Sequence, residues 1–196
     1  IVSDEIHSEL LLGDAGPVPV AMLSPEIADR TITLIAPSKT FNVAGLFCAF
    51  AIIPNKELRE RFQHAVDHTT AHVSSLGLVS AEAAWSGACD DWLMELRTYL
   101  SANRDFLSGQ LVSDFPEARF AVSDATYFSW IDFGNYVKSG QIQGAPFQFF
   151  LDKAKVAFSE GKPFGGGSES FIRLNFGCPR SVLAEALGRM KDALVV

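Results

Sequence analysis

The sequence predicts an α/β fold, and three patterns along its 196 residues indicate it. Residues 31–36 and 46–53 are apolar runs of strand length, as expected of strands buried on both faces. Residues 90–111 carry apolar side chains at helical spacing, which is typical of a long amphipathic helix. Residues 118–124 and 126–133 alternate apolar with polar side chains, which indicates two paired strands.

Helix signals define several further elements. Ser24 followed by Pro25 is a helix cap followed by a favoured first helical residue, so we expect a short helix there. A longer helix is predicted from the Asn55 cap to a stop at Gly77, and another helix from Ser80. The remaining predicted elements are strands at 1–3, 156–158 and 170–176 and helices at 145–155 and 179–196.

The order of these elements changes along the chain and predicts two parts. Residues 1–79 combine buried strands with a helical connector, whereas residues 80–196 mix helices with paired strands. The glycine-rich stretch at 161–170 lacks the strand, loop and helix order of a phosphate-binding loop, so we expect an ordinary mobile loop. The chain opens without Met and inside an apparent strand end, and we therefore expect it to be a fragment.

The composition excludes several classes of partner. A net charge of -7, with the 16 Lys and Arg residues scattered, disfavours nucleic acid, which binds basic surfaces. No apolar stretch approaches the roughly 20 residues needed to span a bilayer, and no signal peptide is visible, so no membrane partner is expected. The three cysteines have no CxxC or metal-like spacing, which predicts reduced thiols and a cytoplasmic location.

Four segments carry residues suited to chemistry, although each alone has a common structural explanation. Asp4 with His7 is typical of a capped loop, and a lone lysine such as Lys39 usually extends its ammonium to water. Arg173 inside a late strand could be a cross-strand partner, and the aromatic residues of 126–133 could simply be core. The order and combination of these segments favour a functional site.

Together, three of the segments resemble one enzyme family. "SDEIHSEL" at 3–10, "APSKTFNVAGL" at 36–46 and "RLNFGCPR" at 173–180 resemble the C-terminal part of fold-type I pyridoxal-phosphate enzymes, the class I/II aminotransferase superfamily. Within it they look most like the bacterial C–S lyases, which include the PatB- and MalY-type cystathionine β-lyases. The resemblance implies that the first part completes a large-domain sheet that binds pyridoxal 5'-phosphate (PLP), and that a small C-terminal α+β domain follows.

The resemblance implies roles for the three residues with the strongest chemistry. Lys39 matches the lysine that binds the cofactor aldehyde covalently and later moves the proton at the substrate Cα. Asp4 matches the carboxylate that faces the pyridine nitrogen and keeps it protonated. Arg173 matches the arginine that binds the substrate α-carboxylate, for which a planar two-pronged donor is suited.

Further cofactor contacts are implied nearby. Ile6 would lie against the ring face, and Ser38 would be a phosphate ligand. His7 occupies the place where many members of the superfamily have a tyrosine that binds the phenolic oxygen, so it would contact the cofactor or only line the pocket. Many aminotransferases also have a phosphate-binding arginine eight residues after the lysine, where this sequence has Phe47. That difference favours the lyase interpretation.

The implied function is a PLP-dependent carbon–sulfur β-lyase that releases thiol, pyruvate and ammonia from cystathionine or other cysteine S-conjugates. A class I/II aminotransferase would use the same residues, and a truncated fragment without activity of its own is a further alternative. A regulatory module fused to a DNA-binding domain is disfavoured because no helix-turn-helix segment is present. A homodimer is expected of the full-length protein.

A metal site is the last alternative that the sequence raises. His64, His68 and His72 follow one another at four-residue intervals and would share one face of the predicted connector helix. No carboxylate or cysteine completes a ligand set except Asp67, which would lie on a neighbouring face. We therefore expect no metal and a surface role for these histidines.

Overall fold

The computed structural model describes residues 1–13, 16–67, 69 and 72–195, and its described residues form two compact units, Ile1–Arg97 and Thr98–Val196. Strands and helices mix in the order that an α/β fold requires, so the predicted fold class is confirmed. The predicted division into 1–79 and 80–196 concerns the domains of a family fold and stays a prediction. No described helix combines the length and the apolar character needed to cross a membrane.

The first unit is built on a three-stranded sheet in the order β1-β2-β3. Its strands are β1 (Val2–Asp4), β2 (Ile32–Ile35) and β3 (Phe50–Ile52). β1 and β2 are parallel, with Asp4 level with Leu34, and β3 runs antiparallel to β2. Because β1 and β2 run in the same direction, the segments that follow them leave the sheet at the same edge.

The predicted buried strand at 46–53 is wrong in extent and in burial. Residues Ala44–Leu46 form a short 3-10 helix, and Phe47 then adopts a left-handed backbone with φ of 50°. Only Phe50–Ile52 are extended, and all three are exposed because β3 lies at the edge of the sheet and pairs with β2 alone. β2 is itself less buried than predicted, since only Thr33 of its four residues is buried.

The helices of the first unit are α1 (Pro25–Ala28), α2 (Lys56–Asp67), α3 (Ser75–Trp85) and the start of α4 (Asp90–Asp114). The predicted cap of α1 is confirmed, since the Ser24 hydroxyl accepts a hydrogen bond from the Ile27 N–H at 3.2 Å. The Asn55 cap of α2 is also confirmed, with its side chain accepting from the Leu58 N–H at 2.9 Å. Both helices therefore begin where the polar cap residues predict.

Gly77 was predicted as a helix stop, and that prediction is wrong. α3 begins at Ser75 rather than at Ser80, and the Ser74 hydroxyl caps it by accepting from the Gly77 N–H. A side chain at Gly77 would place its Cβ only 2.6 Å from the carbonyl oxygen of Leu46. The glycine is therefore explained by close packing inside a helix and not by a helix end.

The second unit contains an antiparallel sheet in the order β4-β5-β7-β6. Its elements are β4 (Arg119–Phe120), β5 (Phe128–Asp132), α5 (Gly134–Lys138), α6 (Pro146–Lys153), β6 (Ser159–Glu160), β7 (Phe171–Asn175) and α7 (Arg180–Val195), together with the end of α4. The pairing predicted from the alternation is confirmed, but β4 is limited to Arg119–Phe120 of the predicted 118–124. The strand predicted at 156–158 lies at Ser159–Glu160 instead, and α5 was not predicted.

Alternation along β5 and β7 separates a buried face from the face that carries Arg173. Ile131 and Ile172 are level with each other and completely buried, and Trp130 and Arg173 are level on the opposite face. Four phenylalanines, Phe115, Phe133, Phe150 and Phe176, are completely buried in this unit. The face that carries Arg173 is thus held by a dense aromatic core behind it.

Candidate active site

The two residues with the strongest predicted chemistry follow neighbouring parallel strands. Asp4 is the last residue of β1, and Lys39 follows the end of β2 at Ile35 after a short connection. The carboxyl ends of parallel strands are where ligands bind in open α/β sheets. The fold therefore brings Asp4 and Lys39 to one edge of the sheet, as the prediction requires.

Asp4 and its neighbour Glu5 have different hydrogen-bond partners. The Glu5 carboxylate accepts hydrogen bonds from the Ser3 hydroxyl at 2.9 Å and the Val20 N–H at 3.1 Å, so it ties two loops together. The Asp4 carboxylate accepts a bond from the Ile6 N–H at 3.2 Å and is exposed. Of the two carboxylates, that of Asp4 is therefore the one that can still accept a hydrogen bond from a ligand.

Lys39 lies in a hydrogen-bonded turn. The Phe41 N–H donates to the Pro37 carbonyl at 2.9 Å, and the Val43 N–H donates to the Ser38 carbonyl at 3.2 Å. Ser38 and Lys39 are both half-buried. Within the described parts of the chain, no hydrogen bond or ion pair engages the Lys39 ammonium. The turn thus fixes the backbone of the lysine while its amine stays available.

Thr40 adds a polar group that the sequence analysis did not single out. Its side chain is buried, and its hydroxyl oxygen is one of two buried side-chain nitrogen or oxygen atoms in the described residues that have no hydrogen-bond partner. A buried hydroxyl without a partner is unusual and indicates that an acceptor or donor is expected there. Its place directly after Lys39 was the only signal in the sequence.

Ile6 and His7 lie in the turn that follows β1, so they share the edge with Asp4. Both are half-buried, and the His7 carbonyl accepts a hydrogen bond from the Leu10 N–H at 3.0 Å. Phe47, at the position where many aminotransferases have an arginine, is 83% exposed. The contacts of Ile6, His7 and Ser38 with a cofactor stay predictions.

Arg173 lies in the second unit, on β7, and is one of the residues that line an open groove of about 570 Å³. Its guanidinium carbon lies 4.4 Å from the centre of the Phe128 ring and 4.8 Å from that of Phe164. One terminal nitrogen, Nη2, donates to the Ser159 hydroxyl at 3.2 Å. The Nε atom is buried and has no partner among the described residues. The buried Nε–H of Arg173 is therefore available to a ligand acceptor.

Burial and charge shift the pKa values of two ionisable side chains in the second unit, Tyr127 and Cys178. Burial raises the pKa of Tyr127, and the nearby positive charge of Arg173 opposes that effect. Burial likewise raises the pKa of the Cys178 thiol, which lines the same groove, so this cysteine is poorly suited to act as a nucleophile. Arg173 therefore stays the predicted carboxylate-binding residue of this unit.

A buried asparagine holds the turn that follows β7, and the sequence analysis missed it. The Asn103 side chain donates to the carbonyls of Phe176 at 2.9 Å and Cys178 at 2.8 Å, and it accepts from the Arg180 Nε at 2.7 Å. The segment that follows Arg173 is therefore fixed from α4. Only contacts distant in sequence reveal this role.

The predicted alignment of three histidines on one helix is wrong. α2 ends at Asp67, so His72 lies beyond it, and His68 lies outside the described residues. In the part of the chain that the structure describes, no group of three or more His, Cys, Asp or Glu residues could hold a metal ion.

Comparison with known proteins identifies the family. The model of the family "Aminotransferase class I and II" matches residues 1–190. A match over nearly the whole chain shows that this protein belongs to the class I and II aminotransferase family, as the three motifs predicted.

Individual relatives resemble the chain over its full length. Cystathionine beta-lyase PatB of Bacillus subtilis is 37% identical over 99% of this chain and 49% of its own. The PLP-bound C–S lyase of Staphylococcus hominis superposes with a TM-score of 0.90 at 32% identity, covering 99% of this chain and 49% of that one. A structure named OvoB has a TM-score of 0.89 at 42% identity, over 98% and 48%. The chain thus spans about half the length of the relatives it matches.

Proposed function

We propose that the protein is a PLP-dependent carbon–sulfur β-lyase acting on cystathionine or related cysteine S-conjugates. The observation that carries the proposal is the placement of Asp4 and Lys39 at the same edge of one parallel strand pair. The resemblance to a cystathionine beta-lyase and to a C–S lyase supports the choice of reaction. The products would be a thiol, pyruvate and ammonia.

The residues at this edge fit the chemical demands of the cofactor. PLP, when bound, supplies an electron sink that stabilises negative charge at the substrate Cα. Lys39 would hold its aldehyde through Nζ, and Asp4 would keep its ring nitrogen protonated. The Ser38 hydroxyl and the unpartnered Thr40 hydroxyl are suited to donate to its phosphate, and Ile6 and His7 would line the ring.

Substrate binding would depend on Arg173. A guanidinium binds a carboxylate through two parallel N–H donors, and its unpaired Nε is one such donor. With the α-carboxylate held, the Lys39 amine would take the proton from Cα. The electron pair left at Cα would form a double bond to Cβ as the bond between Cβ and sulfur breaks, and the pair of that broken bond would leave with the thiolate. The remaining three-carbon product hydrolyses to pyruvate and ammonia.

The decisive experiment follows pyruvate from L-cystathionine in the PLP-loaded protein without any keto acid. The proposal predicts pyruvate formation that is lost in Lys39→Ala and retained in Lys56→Ala, whose lysine lies on the exposed surface of α2. A requirement for a keto acid, with amine transfer in place of pyruvate, would contradict the lyase proposal and favour an aminotransferase, which the family also contains.

A second candidate is a chain without activity of its own, and the coverage of about half of the relatives' length favours testing it. Titration with PLP should shift the cofactor absorbance in the wild type and less so in Asp4→Asn. An unchanged absorbance in the wild type would support the inactive alternative. The homodimer and the cytoplasmic location implied by the resemblance stay predictions, and sedimentation of the PLP-loaded protein tests the first.

A further inference from the structure

The surroundings of Arg173 contain more than a substrate-binding arginine needs. Its guanidinium is contacted by two aromatic rings, and one terminal nitrogen is bound by Ser159. Its Nε remains buried and unpaired among the described residues. Buried hydrogen-bond donors nearly always have a partner, so a buried guanidinium N–H without one requires an explanation. One explanation is that this N–H donates to an acceptor on a ligand when the ligand binds.

The two rings are held in different ways. Phe128 belongs to β5, an inner strand of the sheet. Phe164 ends a short 3-10 helix and is followed by Gly165 and Gly167, whose φ values of 132° and 85° only glycine adopts readily. The Phe164 side chain is 52% exposed, yet its ring contacts both Arg173 and Trp130. An exposed ring on a glycine-rich loop can yield slightly as a carboxylate enters.

We propose that Phe164 is a positioning residue for Arg173, an inference that rests on the proposed function. Its ring holds the guanidinium in place and keeps water away from the donor that the substrate carboxylate uses. An ion pair shielded from water is stronger and less sensitive to salt than an exposed one. Phe164 therefore favours substrates that are α-amino acids with a free carboxylate over amines that lack one.

The test compares two ligands in the PLP-loaded protein. S-ethyl-L-cysteine carries the α-carboxylate, and S-ethylcysteamine is the same molecule without it. Phe164→Ala should raise KM for S-ethyl-L-cysteine about 2- to 5-fold, the range of a cation–π contact with an exposed ring, and should steepen its dependence on salt. The inhibition constant of S-ethylcysteamine and the value of kcat should change much less.

Further variants separate positioning from folding. Phe164→Leu keeps an apolar side chain but removes the ring, so its KM should be raised as in Phe164→Ala. Phe164→Tyr keeps an aromatic ring and should have the wild-type KM. Phe149→Ala, on α6, removes a ring that contacts Phe150 rather than Arg173, so it is the matched control and should change the binding of neither ligand. The proposal would be overturned if Phe164→Ala weakened the binding of both ligands equally, or if its KM for S-ethyl-L-cysteine were unchanged.

Failure of the proposed function gives a different result. If wild-type protein forms no pyruvate but transfers amines, the same comparison is made with L-alanine and ethylamine, and the predicted selectivity for the carboxylate remains. The inference about Phe164 therefore fails only when the carboxylate-dependent difference between variants is absent.

Discussion

The two compact units differ in how much core each contains. Of the twelve largest completely buried side chains among the described residues, only Leu10 lies in the first unit. Apolar side chains of the first unit such as Val2, Phe47 and Ile52 are instead exposed. The unit that carries Lys39 is thus sparsely packed, whereas the unit that carries Arg173 is densely packed. Substitutions of similar type should cost more free energy of unfolding in the second unit.

The largest effect is expected at Gly161. A Cβ there would lie 2.2 Å from the Ser168 carbonyl oxygen and 2.6 Å from that of Phe171, and backbone atoms cannot give way easily. Gly161→Ala should lower the free energy of unfolding by about 3 kcal/mol, measured by urea denaturation. Gly166→Ala, where nothing lies within 4 Å, is the matched control. Equal costs for the two variants would mean that the loop is not held as described.

A slightly smaller loss is expected at Asn103. Asn103→Leu removes the hydrogen-bond partner of the buried Phe176 carbonyl, the part-buried Cys178 carbonyl and the Arg180 Nε, which should cost about 2 kcal/mol. Asn135→Ala removes a single exposed bond to the Glu117 carbonyl and should cost less than about 0.5 kcal/mol. Amide hydrogen exchange should show the loss in peptides covering residues 171–183. Loss spread evenly over both units would contradict a local role.

Acid should weaken the second unit through Asp132. Burial alone would raise the pKa of this carboxyl, but hydrogen bonds from the Ser170 hydroxyl, the Gly134 N–H and Arg119 outweigh it and lower the pKa. A lowered pKa contributes stability that is present above the unfolded value and lost as pH falls through the folded value. Asp132→Asn should therefore flatten the fall of stability below about pH 4. An unchanged acid profile would show that other carboxylates dominate.

The smallest effect is expected in the first unit. Ser24→Ala removes the cap of the short helix α1 and should cost about 1 kcal/mol. Hydrogen exchange in peptides covering residues 24–31 measures it, and Ser113→Ala, at the exposed end of α4, is the control. A cost above that of Asn103→Leu would reverse the proposed contrast between the units.

Helix-cap residues and the alternation of apolar with polar side chains predicted this structure better than apolar runs did. Helix caps at Ser24 and Asn55 and the alternation in β5 were confirmed because they depend on neighbours within a few residues. The run at 46–53 misled because apolar residues indicate burial only when a neighbour covers them, and β3 is an edge strand. Gly77 misled because a glycine required by packing looks like one that ends a helix.

The motifs around Asp4 and Lys39 led to the hypothesis that the two residues share a site, and their roles stay predictions. The parallel direction of β1 and β2, which puts both residues at one sheet edge, came from the structure alone. Asn103 and Phe164 could not be found from motifs. Asn103 acts on residues more than 70 positions away, and the contact of Phe164 with Arg173 depends on how a loop folds over the sheet.

The central claim is that Lys39 binds the cofactor beside Asp4, and peptide mapping tests it most directly. The PLP-loaded protein is reduced with borohydride and digested, and the masses of its lysine-containing peptides are measured by mass spectrometry. We expect the pyridoxyl group on the peptide that contains Lys39, and the amount of labelled peptide should fall in Asp4→Asn. A label on another lysine, with Lys39 unmodified, would contradict it.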